Sequence, residues 1–260
     1  TIVQNSIVKE AKDKFAGISI KDGTNIKGLV NAKKNVNINN QDSNVTIGDN
    51  TTNEKYVTAG NDINIIVTDG SILNYGVDKV LLAADGDLTM RVINGTIGLP
   101  VQQDACQGSG CVGVGDKADG SRDFTKSING NIKGKVNATT TNTKAATKPD
   151  DLVINYAAID SDMNIDAIHA DGRVILTTDY NRKDGTTRYD MVNASTDPNK
   201  ANVEGYGISL ISSGNIGSKD NKLTFNQTRA GQLATVNNPT PAGGYGMDVL
   251  ANEDIYIKGL

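Results

Sequence analysis

Four short stretches of the chain share one arrangement of polar and apolar positions. Each opens on Ala, carries Asp or Asn three residues later, then alternates aliphatic, polar and apolar. They read Ala32-Lys-Lys-Asn35-Val36-Asn-Ile38, Ala59-Gly-Asn-Asp62-Ile63-Asn-Ile65, Ala84-Asp-Gly-Asp87-Leu88-Thr-Met90 and Ala251-Asn-Glu-Asp254-Ile255-Tyr-Ile257. The first three copies advance by 27 and then 25 residues (32 to 59 to 84). A second aliphatic follows nine residues after the first, in Val36 with Val45, Ile63 with Ile72, and Leu88 with Ile97. A degenerate copy places Ile165 and Val174 at the same offset, and Ser213-Gly-Asn-Ile216-Gly217 looks like half of another.

A period-two alternation of apolar and polar residues predicts short strands with one buried face. The runs end in Asp-Gly, Asn-Gly and Gly-Asn, which turn the chain. Only Val8–Phe15 has room for a turn or two of helix. A unit of about 25 residues with two or three such strands cannot bury its own apolar face, but stacked on its neighbour it can. The expected class is therefore all-β: a parallel β-helix, or solenoid, of about 25–27 residues per coil, forming one domain over residues 1–260. Four polar stretches without strand alternation, 102–126, 138–150, 181–204 and 229–244, are expected to project from it as inserted loops. The repeated aliphatics Val36, Val45, Ile63, Ile72, Leu88, Ile97, Ile165, Val174, Ile216 and Ile255 are the expected interior columns.

Composition agrees with this picture. Aromatics make up 4% of the chain and Gly 28 of its 260 residues, and there are 30 Asn. Large rings do not suit a narrow interior, whereas Gly and Asn suit tight turns. Asn side chains on inward turns are expected to stack and bond along the axis. With a net charge of −4 and no basic stripe, nucleic-acid binding is not expected. No apolar run approaches the length of a membrane-spanning helix, so membrane insertion is not expected. With neither an initial Met nor a signal-peptide core, the chain reads as processed or excised from something longer.

Ala59-Gly-Asn-Asp-Ile-Asn-Ile65 followed by Asp69-Gly-Ser-Ile72 resembles the repeat of two-partner-secreted exoproteins of the filamentous haemagglutinin type. Ser213-Gly-Asn-Ile-Gly-Ser-Lys-Asp-Asn-Lys-Leu-Thr-Phe225 and Glu253-Asp-Ile-Tyr-Ile257 are similar to the variant repeat of very large surface exoproteins. The likeness runs from about residue 30 to the end of the chain. It implies a right-handed solenoid shaft, exported through an outer-membrane transporter and displayed on, or secreted from, a Gram-negative cell, where it serves adhesion. The partner implied is a host or neighbouring cell-surface receptor or a glycan. The Asn-Pro-Asn motif of the family's secretion module is missing; Pro198-Asn199 follows Asp197 instead, so this looks like shaft.

Reactive groups are sparse. Cys106 and Cys111 enclose Gln-Gly-Ser-Gly, a spacing that a disulfide can close in an oxidising compartment; free thiols and a metal ligand pair are the other readings. Asp160-Ser-Asp162-Met-Asn164-Ile-Asp166 has oxygen ligands at alternate positions like the start of a calcium loop, but lacks the Gly and closing Glu, so a solvated strand face is the plainer reading. His169 is the single histidine and has no evident nucleophile. Asp62 and Asp87 fall in register, which places them near turns. No catalytic residue, metal site or cofactor is expected. An adhesive fibre segment is thus the leading reading, ahead of a filament subunit that self-associates end to end and a carbohydrate-active β-helix enzyme.

Overall fold

Aliphatic side chains one coil apart in the sequence lie directly over one another. The structure is a computed structural model that describes residues 2–4, 7–14, 16–21, 25–48, 56–100, 123–144, 152–178, 187–227 and 247–260. One coil shows the path. The strand Ile63–Thr68 forms the first face, a corner at Asp69–Ser71 leads to Ile72–Asn74 on the second, and Leu82–Ala84 forms the third before Asp85–Asp87 returns the chain. Leu88–Ile93 then lies beside Ile63–Thr68 in parallel register, Leu88 against Ile63. The coils build two sheets of eleven strands each, and every pairing among the described residues is parallel. This is a parallel β-helix.

Two columns run through the core. Ile18, Val36, Ile63, Leu88, Val136 and Ile165 stack on the first face. Val45, Ile72, Ile97, Ile154, Val174 and Ile208 stack on the second. None of these twelve side chains is more than 1% exposed. β-Branched residues dominate because they suit a pleated, half-buried surface. Along Val36–Gln41 burial alternates strictly, with Val36, Ile38 and Asn40 inward and Asn37, Asn39 and Gln41 outward. Full burial of one aliphatic side chain stabilises by about 1.5–3 kcal/mol, so each coil is held mainly by its two neighbours.

The corners use Asx residues and glycine for different reasons. Asp42, Asp69 and Asn94 occupy equivalent corners with φ of 56°, 53° and 59°. Short polar side chains tolerate that left-handed geometry best among non-glycine residues. The glycines that follow are needed for close approach between coils. A Cβ on Gly70 would sit 2.2 Å from the Ser43 carbonyl oxygen, and one on Gly95 would sit 2.0 Å from that of Gly70.

Several expectations are corrected. Ile7–Asp13 is a strand paired with Asn25–Ala32, so the described part of Val8–Phe15 is not helical; pairing with the next coil overrides local propensity. The expected 138–150 insertion starts too early, because Val136–Thr141 is a strand throughout, its threonines serving as β-branched residues with Thr140 inward. The expected 181–204 insertion contains Met191–Asn193 and the start of Val203–Gly205, which share one face, with 194–202 as the excursion between them. The first coils are shorter than 25 residues: Ile18 lies under Val36, 18 positions on, because Asn25–Ala32 runs unbroken across two faces. Ile216 stacks between Met191 and Ile255, in the strand-opening column and not with Ile72 and Ile97. Ile255 is 43% exposed, since no further coil covers it among the described residues. The 102–122 stretch, the 229–244 stretch, Cys106 and Cys111 lie outside the described residues.

Candidate functional site

The Asx residues that open each first-face strand form a ladder along the shaft. The Asp87 backbone N–H donates to Asp62 Oδ1 at 2.9 Å, and Lys135 N–H donates to Asp87 Oδ1 at 2.7 Å. Further along, Asp190 N–H donates to Asp162 Oδ1 at 2.8 Å, Asn215 N–H to Asp190 Oδ1 at 2.6 Å, and Asp254 N–H to Asn215 Oδ1 at 3.0 Å. Each side chain therefore caps an orphan amide of the following coil, where the corner interrupts the sheet ladder. A parallel series runs along the next corner, from Ser71 N–H to Asn44 Oδ1 at 2.8 Å and from Thr96 N–H to Ser71 Oγ at 2.9 Å. Asp62 and Asp87, in register as expected, are thus engaged in capping.

His169 sits on the outer surface of the first face. Its Nε2 is 3.3 Å from Asp171 Oδ1 and its Nδ1 is 3.2 Å from Glu204 Oε2 on the next coil. Both contacts are hydrogen bonds only when both ring nitrogens carry protons. Asp171 Oδ2 also accepts Asn142 N–H at 2.7 Å, and Asn226 Nδ2 donates to Glu204 Oε1 at 3.2 Å. The cluster ties several coils together, and no hydroxyl or thiol nucleophile forms a hydrogen bond to the ring among the described residues.

The calcium-like stretch does not converge. Asp162 faces the following coil as a cap, Asn164 Nδ2 donates to the Lys133 carbonyl at 3.2 Å, and Asp160 takes a left-handed φ of 54°. Among the described residues no group of three or more His, Cys, Asp or Glu is arranged to hold a metal ion. Tyr189, at the start of the same coil as Met191, is half-buried. Its carbonyl accepts the Thr178 and Ser212 hydroxyls, each at 2.9 Å.

Asparagine has a role that composition did not reveal. The expected Asn–Asn bond along the axis occurs between Asn64 Nδ2 and Asn37 Oδ1 at 3.1 Å, but on the outer surface. The buried asparagines bind mainly backbone, although Asn202 Nδ2 also donates to Asn193 Oδ1 at 2.8 Å. Asn74 Nδ2 is 2.8–3.0 Å from the carbonyls of Val77, Phe124 and Ser127, and Asn129 Nδ2 lies 3.0–3.1 Å from those of Val77, Lys79 and Phe124. These amides pin two surface loops over a small apolar cluster of Val80, Ala83, Phe124, Ala157 and Ile159. Asn202, fully buried, fills the break in its face. Its Nδ2 donates to the Ile165 carbonyl at 3.1 Å, and its Oδ1 accepts Thr224 N–H at 2.9 Å. In the sequence these residues look like any other turn asparagine.

Compared with protein-family models, with curated proteins and with solved structures, the chain matches none.

Proposed function

We propose that the chain is a structural and adhesive fibre segment of a secreted bacterial surface exoprotein, of the two-partner-secreted filamentous haemagglutinin type, that mediates attachment to cells or surfaces. The observation that carries this reading is the stacking of coils in parallel register, with apolar columns and Asx caps running from coil to coil. A stiff shaft holds whatever it displays away from the cell that bears it. The carboxylates in register are used as caps, which agrees with a scaffold. Export through an outer-membrane transporter belongs to the same proposal and rests on the repeat resemblance.

The test is attachment of the purified 260-residue chain to cultured cells and to immobilised cell-surface glycans. Saturable attachment, competed by unlabelled protein, is expected; non-saturable background binding on every surface would remove the adhesive reading. A second reading is end-to-end association, in which the parallel stacking of coils continues from one chain to the next. Sedimentation at micromolar concentration distinguishes the two, because a filament subunit polymerises whereas a monomeric shaft stays a single elongated species.

A further inference from the structure

The third face carries a shallow open groove of about 500 Å³ along the axis, across four successive coils. Its floor is the outward column Asn31, Thr58, Ala83 and Asn131, which pair in register from strand to strand. The concavity has a sequence cause. The two middle coils place small side chains there, Thr58 and Ala83, whereas the outer coils place Asn31 and Asn131. At the corner beyond, Lys33 and Lys133 rise from the outer coils while Gly60 and Asp85 occupy the middle ones. At about 4.8 Å between neighbouring strands, three steps make a trough roughly 14 Å long.

The groups that line it are left open. Among the described residues neither the Asn31 amide nor the Thr58 hydroxyl has a hydrogen-bond partner, and Lys33 has no ion pair. Lys133 is different, being paired with Asp85. Asn131 Nδ2 donates to the Ile159 and Asp160 carbonyls at 3.2 and 3.1 Å, which fixes the amide so that its Oδ1 is turned away from those carbonyls and remains an acceptor. The trough thus combines one unpaired ammonium, an amide and a hydroxyl that donate and accept, an oriented amide oxygen, and a methyl floor.

From this arrangement we propose that the groove is a binding subsite for an acidic oligosaccharide lying along the shaft axis. A linear sugar chain has the matching chemistry: hydroxyls for Asn31, Thr58 and Asn131, an apolar ring face for Ala83, and a carboxylate or sulfate for Lys33. This deepens the adhesive reading and rests on it for biological meaning, though not for the binding itself. Recognition in so shallow a groove is weak per site.

The experiment follows amide chemical shifts of the isotope-labelled chain during titration with three probes: a hyaluronan tetrasaccharide, a heparin tetrasaccharide and neutral cellotetraose. Shifts centred on Asn31, Thr58 and Asn131 are expected with an acidic probe, and salt should weaken them. The hyaluronan and heparin arms separate carboxylate from sulfate. Thr58→Tyr, an outward strand substitution, fills the trough and should abolish the shifts with the melting temperature unchanged. Lys33→Ala should weaken binding about three- to fivefold, the size of one exposed charge contact. Equal binding of cellotetraose, shifts elsewhere on the shaft, or undiminished binding by Thr58→Tyr would overturn the proposal. Absence of shifts with both acidic probes from a chain that still attaches to cells would sink the groove and leave the adhesive reading; groove binding by a chain that attaches to no cell would do the reverse.

Discussion

Replacing Leu88 by Ala tests the stacking argument most directly. Leu88 is 0% exposed and lies between Ile63 and Val136 in the first-face column. The substitution removes three carbons, about 2.4 kcal/mol at roughly 0.8 kcal/mol per buried methylene-sized group. The sheets above and below are held at fixed spacing by backbone hydrogen bonds, so the site collapses only in part and a cavity term adds to this. The expected total is about 3 kcal/mol, within the ~2–5 kcal/mol range of such truncations. In a solenoid that penalty falls first on the damaged coil and its neighbours. Hydrogen exchange should therefore quicken roughly a hundredfold over 63–68, 88–93 and 136–141, in proportion to ~3 kcal/mol. Exchange over Gly207–Ser212, several coils away, should change far less. Thr89→Ala, on the outward side of the same strand, is the control and should fall within about 0.5 kcal/mol of the parent in urea unfolding. If Leu88→Ala proved as mild as Thr89→Ala, or if protection fell equally everywhere, the column would not be what holds the coils together.

Four more outcomes follow from the corners and from burial. Gly95→Ala drives a Cβ to 2.0 Å from the Gly70 carbonyl oxygen and should cost about 1–3 kcal/mol in urea unfolding, although Gly95 is not a left-handed position. Asp87→Ala leaves the Lys135 N–H without its acceptor and should cost about 1 kcal/mol by the same measurement, while Asp87→Asn should retain most of the stability. The hydrogen bond from Lys144, followed by that from Asn94, holds the Asp69 carboxyl below its ordinary range. Its stabilisation is therefore present above the unfolded-state value and is lost as pH falls through the folded one, so Lys144→Ala should narrow the difference in melting temperature between neutral and acidic buffer. Burial pushes the Tyr156 hydroxyl far up, so stability should be intact below about pH 10 and fall as pH rises above it, with phenolate absorbance from Tyr156 appearing only as the chain unfolds.

Much of the architecture was legible because a solenoid writes its contacts into the sequence at a fixed spacing. Val36, Ile63 and Leu88 recur 27 and 25 positions apart for the same reason that they touch: each is the inward residue that opens a strand of equal length. The Asx residues just before them also recur, since the corner geometry needs them. Where the spacing was irregular, reading failed. Ile216 follows Gly-Asn much as Ile97 follows Gly-Thr, and only the pairing with Met191 assigns it to the other column. The strand at 136–141 was hidden because three of its six residues are threonines, polar by composition yet well suited to a sheet.

Local sequence therefore determined the class of fold, the strand alternation and the chemistry of the turns, because these depend on residues within one coil and on a repeat that aligns copies of it. The tertiary structure decided what depends on distance across coils. It selected which asparagines are buried and bind backbone, such as Asn74, Asn129 and Asn202, and which lie outside. It turned the aspartates in register into caps for the next coil. It also hollowed a groove where four outward residues of unequal size, 31, 58, 83 and 131, fall side by side. Insertions of different length separate those four positions in the chain, so only the hydrogen-bonded register of the sheet brings them together.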